Sequence, residues 1–170
     1  MDTSTVVIDF LLRKYKADQT WTRIVIEQLS EEDILWSPAP ESNSIANLVA
    51  HISGAVYEWF ETVYFNAPEH LDRSKEFDCR LQMSKEQALE ISKKSYDCII
   101  KVLEIMKAHP EKLMEQPYVH RSTFHGALDH QATALEMLLH QFRHLSSHTG
   151  QIIYIAKMRK GQLDWEHRSL

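Results

Sequence analysis

The stretch Leu138-Leu139-His140-Gln141-Phe142-Arg143-His144-Leu145-Ser146-Ser147-His148-Thr149-Gly150-Gln151-Ile152-Ile153 sets three imidazoles at four-residue intervals among apolar residues three and four apart. That spacing is the period of a helix that buries one face. Four residues make slightly more than one turn, so His144 and His148 stand one above the other and can grip a single ion. Two ligands hold a metal weakly, so a site here requires a third from elsewhere in the chain.

Around this helix the chain has few breakers. Four glycines and five prolines occur in 170 residues, 44% of them hydrophobic and 25% charged. That composition suits a single all-helical domain spanning residues 1–170. The net charge is -5 and the basic residues form no stripe, which disfavours nucleic acid as a partner. Cys79 and Cys98 are too few and too far apart for a disulfide framework or a thiolate zinc site. The start, Met1 to Phe10, has no basic region and breaks its apolar run at Asp9, so no signal peptide is expected. No run approaches the roughly 20 apolar residues of a membrane span. A cytoplasmic protein without membrane contact is the expectation.

Working outward, the helix that carries the stretch should begin near residues 129–133 and run to about 159. Lys157, Arg159 and Lys160 complement its dipole, and Gly161 stops it. At the other end of the chain, residues 3–29 form an amphipathic pattern through Val7, Phe10, Leu11, Ala17, Trp21, Ile24 and Val25. Ser30-Glu31-Glu32-Asp33 resembles a capping box for a short turn that Pro38 and Pro40 end. Ser44 caps a second long helix, which runs to about 66 with positions 45, 48, 52, 55, 56, 59 and 63 inward; Pro68 stops it. Residues 67–83 show no period and are expected as a long connection, of the length that permits a crossover along a bundle. Ser84 and Gln87 cap a third long helix through Ala108, with Ala88, Ile91, Cys98, Val102 and Ile105 as its stripe. Residues 109–130 again lose their period, and 118–124 read as extended. Four long helices in one domain result.

The ten histidines divide by position. His70, His109 and His167 fall singly in connections, a helix end and the tail, where solvation explains them. His120, His125 and His130 are five apart, which turns successive side chains about 140° from one another on a helix. His51 differs, because it lies three residues after Leu48 and four before Ala55 and so points inward from the second long helix. His148 lies three after Leu145 and four before Ile152 and faces the same interior. Three converging imidazoles would repel if charged, and a divalent cation bound by neutral nitrogens removes the conflict. The plainer reading is a set of core histidines, each satisfied by a neighbour. No Glu follows the first His of the pair as in His-Glu-x-x-His, so a metalloprotease is disfavoured.

Ser44-Ile45-Ala46-Asn47-Leu48-Val49-Ala50-His51-Ile52-Ser53-Gly54 and His144-Leu145-Ser146-Ser147-His148-Thr149-Gly150-Gln151-Ile152, in this order and separation, resemble the DinB/YfiT-like superfamily of helical metalloproteins over nearly the whole chain. The resemblance implies a four-helix bundle with up-down-down-up connectivity, with 67–83 as its crossover. It implies a divalent metal held by one His of the second helix and a His-x-x-x-His pair of the fourth: His51, His144 and His148. It also implies a homodimer. His140, one turn before the pair, is expected to line the approach to the metal, because each four-residue step rotates by about 40°; a fourth-ligand role is the alternative. Asn47, one turn before His51, either supports a ligand or completes the helix start.

Three protein ligands leave a position open, which is the arrangement of a catalytic rather than a closed structural site. A thiol bound there would be held deprotonated and nucleophilic. Relatives of the resembled superfamily include S-transferases and isomerases that use small thiols such as bacillithiol or mycothiol. The leading expectation is therefore a metal-dependent thiol S-transferase that joins a small thiol to an electrophile. One alternative is a non-catalytic, stress-related metal- or ligand-binding bundle. A further alternative is a metal-dependent hydrolase, for which Glu58 is the nearest carboxylate by helical spacing. Three imidazoles suit zinc or nickel first, and iron, manganese or copper as well. Trp36, Tyr57 and Trp59 are read as core or as walls of a neighbouring cavity.

Overall fold

Ser30, Ser44, Ser84 and Thr133 each accept a hydrogen bond from the backbone N–H three residues on. In each, the side chain of that third residue accepts one back from the cap. These reciprocal bonds satisfy donors that a helix start leaves orphaned, and they place four of the helix starts within a residue or two of the positions the sequence indicates.

The computed structural model describes residues 2–68, 73–117 and 132–165. The expectation of an extended segment at 118–124, and the histidines His70, His120, His125, His130 and His167, fall outside them. The helices are α1 (Thr3–Glu27), α2 (Glu31–Leu35), α3 (Ile45–Val56), α4 (Thr62–Phe65), α5 (Lys85–Ala108) and α6 (Ala134–Lys160). A π turn, Tyr57–Glu61, joins α3 to α4 without a break, and 3₁₀ turns occupy Arg73–Phe77 and Pro110–Met114. Among the described residues the fold is all-helical, without strands. Asn66, at φ 52°, ends α4, and Gly161, at φ 76°, ends α6; both residue types tolerate the left-handed region. Among the described residues no helix is long and apolar enough to cross a membrane.

The long helical segments pack side by side, with α1 and α3 each lying against both α5 and α6. Tyr15 donates to the Leu138 carbonyl, Ser146 to Asp18, and Lys160 to the Gln28 carbonyl, so α1 and α6 rise together and run parallel. Lys107 pairs with Asp9, Lys16 with Glu104, and Lys85 reaches the Glu27 carbonyl, so α5 runs antiparallel to α1.

Two inward stripes differ from the sequence expectation. On α1 the buried set is Ile8, Leu11, Leu12, Tyr15, Asp18, Thr22, Ile24, Val25 and Ile26, whereas Phe10 and Trp21 are 43% and 39% exposed. On α5 the buried set includes Ser92, Ser95, Tyr96, Ile99, Leu103 and Met106, whereas Ile91 and Cys98 are half-buried and Ile105 is exposed. Ranking residues by hydrophobicity misplaces both stripes because several interior positions are polar and satisfied. Tyr96 and Thr149 are 2.8 Å apart through their hydroxyls, Ser95 donates to the Ile91 carbonyl, and Ser146 donates to Asp18 at 2.6 Å.

The connection after α4 folds back against α3. Asn47 Nδ2 donates to the carbonyls of Glu76 and Asp78, at 2.9 and 3.0 Å, and fastens the Arg73–Phe77 turn beside the first half of α3.

Candidate metal centre

His51 comes from the middle of α3 and His144 and His148 from the middle of α6, the two helices being in direct contact. Their aliphatic neighbours Leu48, Ile52, Leu145 and Ile152 are buried, which points the three rings into the α3–α6 seam. The Nε2 of His51 lies 2.9 Å from that of His144, and the Nε2 of His148 lies 3.0 Å from it on the other side. Three ring nitrogens thus converge within 4.8 Å of one another.

The opposite ring nitrogens decide what that convergence means. His51 Nδ1 donates to Glu76 Oε2 at 2.9 Å, His148 Nδ1 to Gln151 Oε1 at 2.6 Å, and His144 Nδ1, over a longer 3.4 Å, to Gln141 Oε1. Arg73 Nη2 also lies 3.2 Å from His51 Nδ1, but an ionised carboxylate can only accept, so the ring nitrogen carries the hydrogen and the guanidinium donates to Glu76. A neutral imidazole has one N–H. With each spent on an oxygen, all three Nε2 atoms present lone pairs to one another, an arrangement that a shared cation relieves.

A proton on His144 or His148 is disfavoured near neutral pH. Burial first, and then the neighbouring imidazoles His148 and His51, push the His144 pKa down to about 3. Burial also lowers that of His148. Tetrahedral coordination with metal–nitrogen bonds of about 2.0–2.1 Å sets the nitrogens about 3.3 Å apart, so a small outward movement seats a divalent ion. The donor chemistry fits, and the three histidines form a candidate metal site.

Around the rings the sequence reading was incomplete. Glu76 and Arg73 lie in the connection that had no periodic signal, and their three-residue spacing was the one hint of a pair. Arg73 donates to Glu76 through Nε at 2.8 Å and to Glu58 through Nη1 at 2.6 Å. Burial alone would raise the Glu76 carboxyl, but bonds from His51 and Arg73 outweigh it and hold the group below the usual carboxylate range. Glu58, at the π turn, is engaged by this guanidinium.

His140 does not join the cluster; it packs beside Trp59, ring centroids 5.5 Å apart, and so flanks the site. Burial, and then Arg143, lower its pKa. Phe77 lies against the other side of His51, 4.9 Å between centroids, while 52% exposed. Asn47 does both things weighed for it, completing the α3 capping box and holding the turn that bears Glu76. Trp36 stands elsewhere, under the Arg159 guanidinium, and Tyr57 donates to the Pro68 carbonyl. His109 is exposed beside Glu111. Both cysteines are free; burial and then Glu61 push the Cys98 thiol up to about 12, which removes it as a ready nucleophile.

A family model, DUF1572, described as a protein of unknown function, matches residues 2–170. No curated protein matches the chain.

Proposed function

We propose that the chain, which belongs to the DUF1572 family, is a DinB/YfiT-like metal protein that binds a small thiol and transfers it to an electrophile. The observation that carries the reading is the convergence of three bare imidazole nitrogens whose opposite nitrogens are each held by an oxygen. When bound, a divalent cation supplies the charge that keeps a thiol ligand deprotonated and nucleophilic at neutral pH.

The chain's own residues supply the rest. His51, His144 and His148 would hold the ion, and among the described residues no carboxylate belongs to their cluster, so these three ligands would leave room for an exogenous one. Glu76, Gln141 and Gln151 hold the rings. His140 with Trp59, and Phe77, furnish aromatic surface beside them. Water activation for hydrolysis is the weaker reading, because Arg73 engages the Glu58 carboxylate. Zinc or nickel suits the donor set first; iron, manganese and copper also accept three imidazoles.

The parallel α1 and α6 with an antiparallel α5 support a four-helix bundle of up-down-down-up connectivity. Homodimerisation is supported by the resemblance and by the apolar side chains that α1 and α6 leave exposed, among them Phe10, Trp21, Leu139 and Tyr154. Two unpaired thiols support a cytoplasmic setting.

The test is conjugation by metal-loaded protein across a panel of small thiols and electrophiles, with His148→Ala and metal-free protein as controls. The expected result is metal-dependent product with at least one thiol, lost in the variant. Stoichiometric metal with no conjugation above the controls would sink the transferase reading and leave a non-catalytic metal-binding bundle.

A further inference from the structure

We propose that Glu76 is the positioning residue of this metal centre, and that metal occupancy and the seating of the Arg73–Phe77 turn on α3 are one coupled equilibrium. The inference rests on the metal reading of His51, His144 and His148 and goes beyond it.

Glu76 is 6% exposed, so water does not replace its bond to His51 when that bond is lost. Its carboxylate can only accept, which keeps the His51 hydrogen on Nδ1 and leaves Nε2 bare toward His144. The other two rings are held by neutral amides, Gln141 and Gln151. Among the described residues Glu76 alone brings a full negative charge to a ring's N–H, and a ring so held is the better donor to a cation.

The reverse influence follows from the same bond. A cation at Nε2 withdraws electron density from the ring and makes Nδ1–H a stronger donor, so the bond to Glu76 tightens when the site fills. Glu76 sits in a connecting turn, not on a long helix. Arg73 steadies its carboxylate and Asn47 hooks the carbonyls of residues 76 and 78. The turn is therefore the element that can respond. Linkage requires that the factor by which the seated turn raises metal affinity is the factor by which metal favours the seated turn.

The experiment measures zinc affinity by competition with a chromophoric chelator for wild type, Glu76→Gln and Glu76→Ala. Hydrogen exchange of amides 73–78 is followed with and without zinc, and helical content of the zinc-free proteins is checked by circular dichroism. Both variants should bind zinc about 10–100-fold more weakly. The glutamine variant is included because its amide can donate to Nδ1 and so permit the wrong tautomer, and because its near-identical shape keeps the fold should alanine not. In wild type, zinc should slow exchange across 73–78, and in neither variant should it do so. Zinc affinity within about threefold of wild type in the folded variants, against the loss expected on removing such a partner, overturns the proposal. So does slowing by zinc that survives in them. Wild type that takes up no zinc is a different result, and overturns the metal reading itself.

Discussion

His51 Nε2 and His144 Nε2 face each other at 2.9 Å although 93 residues separate them in the chain. Neither has a hydrogen to offer the other, because His51 gives its N–H to Glu76 and His144 gives its own to Gln141. Two lone pairs at that distance repel unless a positive charge lies between them, and His148 adds a third.

Removing any one of the three rings leaves a two-ligand site. His148→Ala and His51→Ala are each expected to abolish tight binding of one divalent ion per chain, measured by metal analysis of protein purified without a His tag or nickel column. Full stoichiometric metal in either variant would remove the triad.

Metal should stabilise a fold that stands without it, since α1, α3, α5 and α6 share a buried hydrophobic core that does not include the three rings. The zinc-free protein is expected to keep its helical spectrum. Zinc at a hundredfold excess over its dissociation constant should add about 2.7 kcal/mol to unfolding, read as a higher melting temperature. Collapse of the spectrum on chelation would make the ion a structural one.

Asn47 is 5% exposed and works through both ends of its amide. Its Oδ1 accepts from Ser44 at the α3 cap, while its Nδ2 donates to the carbonyls of Glu76 and Asp78. Asn47→Asp keeps the acceptor and loses both donors, so it should cost about 1–3 kcal/mol by leaving a carboxylate against carbonyl oxygens. A urea titration reads that cost. An unchanged midpoint would mean that the turn is held without Asn47.

Asp18 is buried between α1 and α6 with Ser146 donating to it, and burial raises its pKa above the usual carboxylate value. A folded pKa raised above the unfolded one means that the native state holds a proton the unfolded chain releases, so stability falls as pH rises through that window. Asp18→Asn should therefore be more stable than wild type at pH 7, and the difference should shrink as pH falls through the raised folded value toward the ordinary carboxylate pKa of about 3.9. Equal denaturant midpoints for the two proteins at pH 7 would contradict it.

Much of the fold was legible. Ser30, Ser44, Ser84 and Thr133 sit where side-chain oxygens can close a helix start, a local signal that needs no partner from elsewhere. The burial stripes were less so, because Thr22, Ser92 and Ser95 are interior only through bonds to atoms on other turns or helices or by size, and hydrophobicity ranks them outside. At the site, His51, His144 and His148 stood out because helical spacing fixes their direction. Glu76 and Arg73 did not, since nothing periodic orients a residue in a connection.

By itself, then, the sequence determined the helices, their caps and the inward aim of three imidazoles, all of which depend on residues within a turn or two of one another. Only the tertiary structure decided that α3 meets α6 so that the three Nε2 atoms converge, and that the turn after α4 folds back under Asn47 to bring Glu76 to His51. Those contacts join residues 25 to 93 positions apart, and packing of the whole chain sets them.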